Sequence, residues 1–185
     1  MDKKIIFVHG YTASSRENWY PNISRELDKL GVEYSIPDMP GGAHPHSKEW
    51  LQIIDREVNA TSKPVILVGH SLGTRAILLY VDQFERAADS VILVAAFNND
   101  WKHNGERKDE HYADFFEYAV DTEKIKKLAN RFIVLHSKDD SSIDYQQGVE
   151  IAGELGAKLI TLEDRDHMSE PENYIYVFEA LKKAL

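Results

Sequence analysis

The segment PVILVGHSLGTRAILLY, residues 64–80, limits the possible folds more than any other part of the sequence. It begins with a continuous apolar run, Val65 to Val68, which is typical of a strand buried on both faces of a sheet. It ends with apolar residues at helical spacing. Between the two stands a serine flanked by glycines, Gly69-His70-Ser71-Leu72-Gly73, which predicts a sharp turn from strand directly to helix. We therefore expect a parallel sheet whose strands are joined by helices.

The rest of the chain repeats this alternation of short apolar runs and amphipathic segments. Strands are predicted at 4–8, 32–37, 64–69, 90–97, 131–137 and 157–162, several of which contain continuous Val/Ile/Leu runs. Helices are predicted at 16–30, 47–60, 72–87, 144–155 and 171–185, with Ser47 as a candidate N-cap and Gly31 as a helix end. At 185 residues the simplest expectation is one compact α/β domain over residues 1–185, a six-stranded, doubly wound parallel sheet with helices on both faces.

Charge and composition narrow the range of partners. The formal net charge is −9, from 22 basic and 31 acidic residues, and it disfavours binding to nucleic acid or anionic lipid. The chain has no cysteine, which excludes a disulfide scaffold and a zinc–thiolate site. No apolar run resembles a signal peptide or a membrane span. We expect a soluble, cytoplasmic protein, a monomer or weak dimer, that binds a small molecule and neither nucleic acid nor membrane.

The turn at Ser71 has the pattern G-x-S-x-G. Three fixed residues at ~7% each would recur by chance about 0.06 times in such a chain. A strand before the motif and a helix after it are the context of a nucleophile elbow. There the glycines make room, and the helix N-terminus offers backbone N–H groups to a developing oxyanion. A phosphate-binding loop is the alternative, but no G-K-[ST] follows. Ser71 is therefore the candidate nucleophile.

A serine nucleophile requires a base, and His167 is the best placed of the eight histidines. It follows the last predicted strand, and the carboxyl ends of parallel strands meet at one edge of the sheet. The other histidines lie before the serine, within the motif, inside a strand or in loops: His9, His70, His136, His44, His46, His103 and His111. His44-Pro45-His46 could suggest a metal site, but it has no acidic partners nearby.

The base should be oriented by a carboxylate after the preceding strand, and two candidates are adjacent, Asp139 and Asp140. Residue types alone do not separate them. A calcium loop is a third interpretation of this acidic pair, but its glycine and terminal glutamate are missing.

These residues resemble the alpha/beta-hydrolase superfamily, and within it the small serine hydrolases related to retinoblastoma-binding protein 9 and the bacterial YdeN-type proteins. The resemblance extends over nearly the whole chain. It is carried by FVHGYTASSRENWYP (7–21), DMP (38–40), VGHSLG (68–73), SKDD (137–140) and DH (166–167).

The resemblance implies roles for individual residues. Backbone N–H groups of Tyr11 and Leu72 would form the oxyanion hole. The family places an apolar residue three positions after the catalytic aspartate, which here is Ile143 and so favours Asp140. The sequence departs from the family where proline usually follows, at Asp144, and where glycine usually precedes the histidine, at Asp166.

The expected function is hydrolysis of an acyl bond, a carboxylic ester, by a Ser71–His167–Asp140 triad through an acyl-enzyme, with no metal or organic cofactor. Two alternatives remain. One is a peptidase or amidase with the same triad, and the other is a binding protein with a vestigial hydrolase site.

One segment interrupts the alternation of strands and helices. Residues 98–122 form a long excursion between two strands, and apolar residues recur in it at helical spacing: Tyr112, Phe115, Phe116, Ala119 and Val120. We expect either a surface helix packed on the body or a lid over the site. As a lid, its bulky rings would leave little room and favour short acyl chains.

Overall fold

The structure is a computed structural model that describes residues 2–97 and 110–185, together with the backbone at 102–103 and 106–107. The strands are β1 (Lys4–Val8), β2 (Glu33–Ser35), β3 (Val65–His70), β4 (Ala88–Val94), β5 (Lys102–His103), β6 (Glu106–Arg107), β7 (Ala129–Ser137) and β8 (Lys158–Leu162). The α-helices are α1 (Tyr20–Leu30), α2 (Ser47–Asn59), α3 (Leu72–Phe84), α4 (Thr122–Ile125), α5 (Tyr145–Leu155) and α6 (Tyr174–Ala184), and 3₁₀ turns cover Glu110–Phe116 and Pro171–Asn173.

Six strands form one parallel sheet in the order β2-β1-β3-β4-β7-β8. The order reverses at β1, so the connections leave the sheet on both sides and each face has its own core. Trp19, Leu27 and Val177 belong to the core on the α1 and α6 side, and Trp50, Ile77 and Leu155 belong to the core on the side of α2, α3 and α5. The predicted six-stranded parallel sheet is confirmed. Its reversal point, between β1 and β3, is where parallel sheets usually bind ligands.

Several predicted ends are displaced by local turns. Helix α1 begins at Tyr20 rather than at residue 16, with Pro21 in its first turn, where no N–H is needed. It ends as predicted at Gly31, whose φ is 63°. Ser47 is not the N-cap of α2. His46 occupies that position, and the N–H of Ser47 donates to Oδ2 of Asp114 at 2.7 Å, so a carboxylate from the excursion caps this helix.

The excursion differs most from the sequence prediction. Residues 98–101, 104–105 and 108–109 lie outside the described residues. The segment contains a two-stranded antiparallel pair, β5 with β6, then the 3₁₀ turn with a non-helical Tyr112 (φ −128°), then α4. The predicted helical face is therefore wrong: Phe115 is buried, Ala119 is exposed, and no single helix connects them.

Helices of the described residues are short, and none of them is long and apolar enough to cross a bilayer.

Candidate active site

Ser71 lies on a strained turn at the carboxyl end of β3. Its φ is 52° and its ψ is −123°, a conformation that is unfavourable for a residue with a side chain. Its N–H donates to the carbonyl of Val94 at 3.0 Å, and its own carbonyl accepts from the N–H of Thr74 at 2.9 Å. The neighbouring strand and the first turn of α3 therefore hold the strained conformation in place.

The glycines of the motif are required by close backbone contacts. A Cβ on Gly73 would lie 2.1 Å from the carbonyl oxygen of Val8, and one on Gly69 would lie 2.8 Å from the backbone of Gly73. Both distances are shorter than the contacts that real Cβ atoms make. The predicted reason for the glycines, collision with the adjacent strand and helix, is thus confirmed.

His167 is held by Asp140. It lies in the loop between β8 and α6, and its Nδ1 is 3.0 Å from Oδ2 and 3.1 Å from Oδ1 of Asp140. Because Nδ1 faces a carboxylate, it carries a hydrogen, and Nε2 is the nitrogen free to exchange a proton with a nucleophile. The carboxylate is fully buried, whereas the imidazole is 17% exposed.

The Asp140 carboxylate has donors on both oxygens. Oδ1 accepts from the backbone N–H groups of Ser142 at 2.9 Å and Ile143 at 2.8 Å. Oδ2 faces His167 and, at 3.2 Å, Nε2 of the buried His136. Burial acts to raise the pKa of Asp140, but the hydrogen bonds from His136 and His167 outweigh it and hold that pKa well below its ordinary value. The carboxylate therefore stays ionised.

Asp139 points elsewhere. Its carboxylate accepts from the hydroxyl of Ser137 and from the backbone N–H groups of Arg165 at 3.3 Å and Asp166 at 3.2 Å. Asp166 in turn accepts from the N–H of Ser141 at 2.9 Å. These two exposed carboxylates join the loop after β7 to the loop after β8, and the structure brings Asp140, not Asp139, to His167.

Two buried histidines hold the loops beside Ser71. Nε2 of His70 lies 2.9 Å from the carbonyl of His167, so it donates to that loop. Burial lowers the pKa of His70 to about 3. His9 accepts from the N–H of Met39 through Nε2 and donates through Nδ1 to the carbonyl of Gly10, both at 2.8 Å. Burial also lowers the pKa of His9.

Ser71 and His167 both line two cavities. One has a volume of about 280 Å³ and an apolar side formed by Leu72, Phe97 and Ile143. The other, of about 240 Å³, is more polar, and its lining includes Glu17. Tyr11 borders both cavities, and Leu72 is the first residue of α3, where a backbone N–H has no partner within the helix. Tyr11 and Leu72, the residues predicted to supply the oxyanion donors, thus line a cavity that Ser71 also lines.

The described part of the excursion contributes one ring to the larger cavity. Tyr112 lines it and packs edge-on against Tyr11, with 5.0 Å between ring centroids. Phe115 is in the core against Trp50, and its carbonyl accepts from Nε of the buried Arg75 at 2.8 Å. Of the predicted excursion residues, Tyr112 reaches the site and Phe115 does not.

His44, His46 and His111 have their partners outside the site. Nδ1 of His44 lies 3.1 Å from Nδ1 of the exposed His111, and His46 lies 3.9 Å from Asp114. The side chain of His103 lies outside the described residues. Among the residues that the structure describes, no group of three or more His, Asp or Glu side chains is arranged to hold a metal ion.

Comparison with solved structures gives the class of fold. The chain matches the YdeN protein of Bacillus subtilis with a TM-score of 0.86 at 28% identity, covering 100% of this chain and 98% of that chain. It matches alpha/beta hydrolase domain-containing protein 10 from mouse with a TM-score of 0.70 at 15% identity, covering 97% and 88%. The fold is an alpha/beta hydrolase fold, as the sequence resemblance implies.

The family follows from sequence comparison. The serine hydrolase family model matches residues 5–181, and the chain belongs to that family. At the sequence level, YdeN of B. subtilis strain 168 is 29% identical over 176 residues, which cover 94% of this chain and 90% of the relative. The resemblance to YdeN-type serine hydrolases is confirmed.

Proposed function

We propose that this serine hydrolase cleaves carboxylic esters with short acyl groups through Ser71, His167 and Asp140. One observation carries the proposal. Ser71 lies on a strained turn and borders the same cavities as His167, and Nδ1 of His167 is held by the buried, ionised carboxylate of Asp140. That arrangement supports a hydroxyl nucleophile with an oriented base.

The reaction runs in two halves. Nε2 of His167 takes the proton of Ser71 as Oγ bonds to the ester carbonyl carbon, and the N–H groups of Tyr11 and Leu72 stabilise the oxyanion. The carbon–oxygen bond to the leaving alcohol breaks, and His167 returns the proton to that oxygen. Water then attacks the acyl-enzyme with the same base, which releases the acid and regenerates Ser71.

The cavity walls support a limit on acyl length. Phe97 and Tyr112 stand at the larger cavity beside Ser71, whose volume of about 280 Å³ suits a small group. Tyr112 belongs to the excursion, so this part of residues 98–122 serves as a fixed lid. Arg75 supports it from α3 by donating to the carbonyls of Phe115 and Tyr118.

The test is covalent labelling with a fluorophosphonate, an electrophile that reacts readily with an activated serine and slowly with ordinary hydroxyl groups. We expect the wild-type protein to gain one adduct by mass spectrometry and Ser71→Ala to gain none. Ser142→Ala is the matched control, because Ser142 lines the same cavity and should not be the nucleophile. An adduct on Ser71→Ala would contradict the proposed mechanism.

Substrate series separate the alternatives. A set of p-nitrophenyl esters from acetate to decanoate, with matched anilides, measures acyl length and ester preference together. Faster turnover of the anilides would identify an amidase. A wild-type protein that neither hydrolyses esters nor takes the label would be a binding protein with a vestigial site.

A further inference from the structure

His136 makes a buried contact with the candidate triad. It lies near the carboxyl end of β7 and is fully buried. Its Nε2 is 3.2 Å from Oδ2 of Asp140 and 3.1 Å from the carbonyl oxygen of Ile143. Both partners are acceptors, so Nε2 carries a hydrogen and shares it between them. The sequence alone indicates only a packed strand histidine at this position.

The contact with Asp140 bears on the geometry of the base. Oδ2 of Asp140 faces two imidazoles, Nδ1 of His167 at 3.0 Å and Nε2 of His136 at 3.2 Å. A carboxylate with donors on both sides of one oxygen cannot rotate without losing one of them. His136 therefore helps to fix the plane of the carboxylate.

The contact with Ile143 bears on the cavity. The N–H of Ile143 donates to Oδ1 of Asp140 at 2.8 Å, while its carbonyl accepts from His136. Its side chain lines the larger cavity with Ser71. The turn from Asp140 to Ile143 is thus closed into a ring of hydrogen bonds through one imidazole.

The structure also explains how the ring of His136 is kept in place. Helix α5 passes so close that a Cβ on Gly148 would lie 2.2 Å from Nδ1 and 2.8 Å from Cγ of His136. Only glycine fits there, and its hydrogen packs against the ring. Gly153, on the same helix, has nothing within 4 Å of such a Cβ.

From these contacts we infer that His136 is a positioning residue, one that orients the Asp140 carboxylate and the Ile143 cavity wall for the reaction at Ser71. The inference rests on the proposed function and deepens it. The residue acts through Asp140 and does not touch the substrate.

The first experiment compares His136→Leu with His136→Gln. Leucine fills the space without a donor, whereas the glutamine amide restores an N–H near the position of Nε2. We expect the rate of fluorophosphonate labelling and kcat to fall about 10- to 100-fold in His136→Leu, the loss typical of one hydrogen bond to a charged group. KM should change much less, and His136→Gln should recover most of the loss.

A spectroscopic measurement separates positioning from a merely structural role. The proton on Nδ1 of His167, bonded to Asp140, gives a far-downfield ¹H resonance. It should move in His136→Leu and stay near its wild-type position in His136→Gln. A variant that is only less stable would lower the melting temperature and leave this resonance in place.

The second experiment changes the ring position without changing His136. Gly148→Ala should displace the imidazole and slow labelling, while Gly153→Ala, the matched control, should label at the wild-type rate. This pair also covers the case in which His136→Leu does not fold.

Equal labelling rates and an unmoved resonance in folded His136→Leu would overturn the inference while leaving the proposed function intact, since Ser71 would still be labelled. If the wild-type protein takes no label, the proposed function fails. The resonance then decides by itself whether His136 orients Asp140.

Discussion

Acid stability provides a quantitative test of the burial of His70. The side chain is 2% exposed, its Nε2 donates to the carbonyl of His167, and burial, followed by the neighbouring charge of His167, lowers its pKa to about 3. In the unfolded chain the pKa of a histidine is about 6.5. Between these two values the unfolded chain binds more protons than the native protein does.

The sign and size of the change in unfolding free energy with pH follow from this difference in proton binding. A depressed native pKa means that the stability contribution is fully present above pH ~6.5 and is lost as the pH falls toward 3. At 1.36 kcal/mol per pKa unit, the native state should lose about 3 kcal/mol between pH 7 and pH 4 through this one residue. That is a large share of a total stability of about 5–15 kcal/mol.

The perturbation is His70→Gln, which keeps an amide N–H for the carbonyl of His167 but does not titrate. Urea unfolding at pH 7, 5.5 and 4 gives the free energy of unfolding for both proteins. The wild-type protein should lose about 3 kcal/mol more than His70→Gln across this range. Acid effects of groups distant from His70 are common to both proteins and cancel in the difference.

Replacement of an exposed histidine, His46→Gln, controls for the loss of an imidazole as such, because its side chain is 68% exposed. If wild type and His70→Gln lose stability in parallel as the pH falls, then His70 is protonated in the native state at no cost. That result would show that burial does not lower the pKa of His70 in the native protein.

Two further pairs of variants test the site. Asp140→Asn should lower kcat by a factor on the order of 10⁴ through loss of the correct His167 tautomer, whereas Asp139→Asn should mainly lower the melting temperature. Steady-state kinetics and thermal unfolding of the two variants measure these effects. A larger loss of kcat in Asp139→Asn than in Asp140→Asn would exclude Asp140 as the acid. Tyr112→Ala should shift preference toward longer acyl chains, by up to about fourfold in kcat/KM for each methylene newly buried. Phe115→Ala should destabilise the core and leave the chain-length profile unchanged. Identical chain-length profiles for wild type and Tyr112→Ala would show that Tyr112 does not limit the acyl group.

The fold could be predicted because each buried strand is recorded in the sequence as an uninterrupted apolar run. The turn at Ser71 could also be predicted, since close backbone contacts in such a turn require glycine at both flanking positions. Residue types did not separate Asp139 from Asp140, because the two are adjacent in sequence and differ only in the direction of their side chains. The family resemblance favoured Asp140, and the structure places that residue against His167. The prediction of a helical face in residues 98–122 was wrong for another reason. Its apolar residues have helical spacing, yet Arg75 and Asp114 fix its course through long-range bonds to backbone groups.

Three buried histidines support loops of the site, a role that was not predicted for them. Their positions in the sequence nevertheless share one feature. His9, His70 and His136 each lie at or just beyond the carboxyl end of a buried strand, which is where the loops of the site begin. Each donates one N–H to a backbone carbonyl in such a loop, that of Gly10, His167 or Ile143. Loops carry backbone carbonyls that no helix or strand can satisfy, and an imidazole reaches them from the apolar interior with a single donor. A histidine that ends an apolar strand in a parallel sheet therefore predicts a supported site loop, even where it is neither nucleophile nor base.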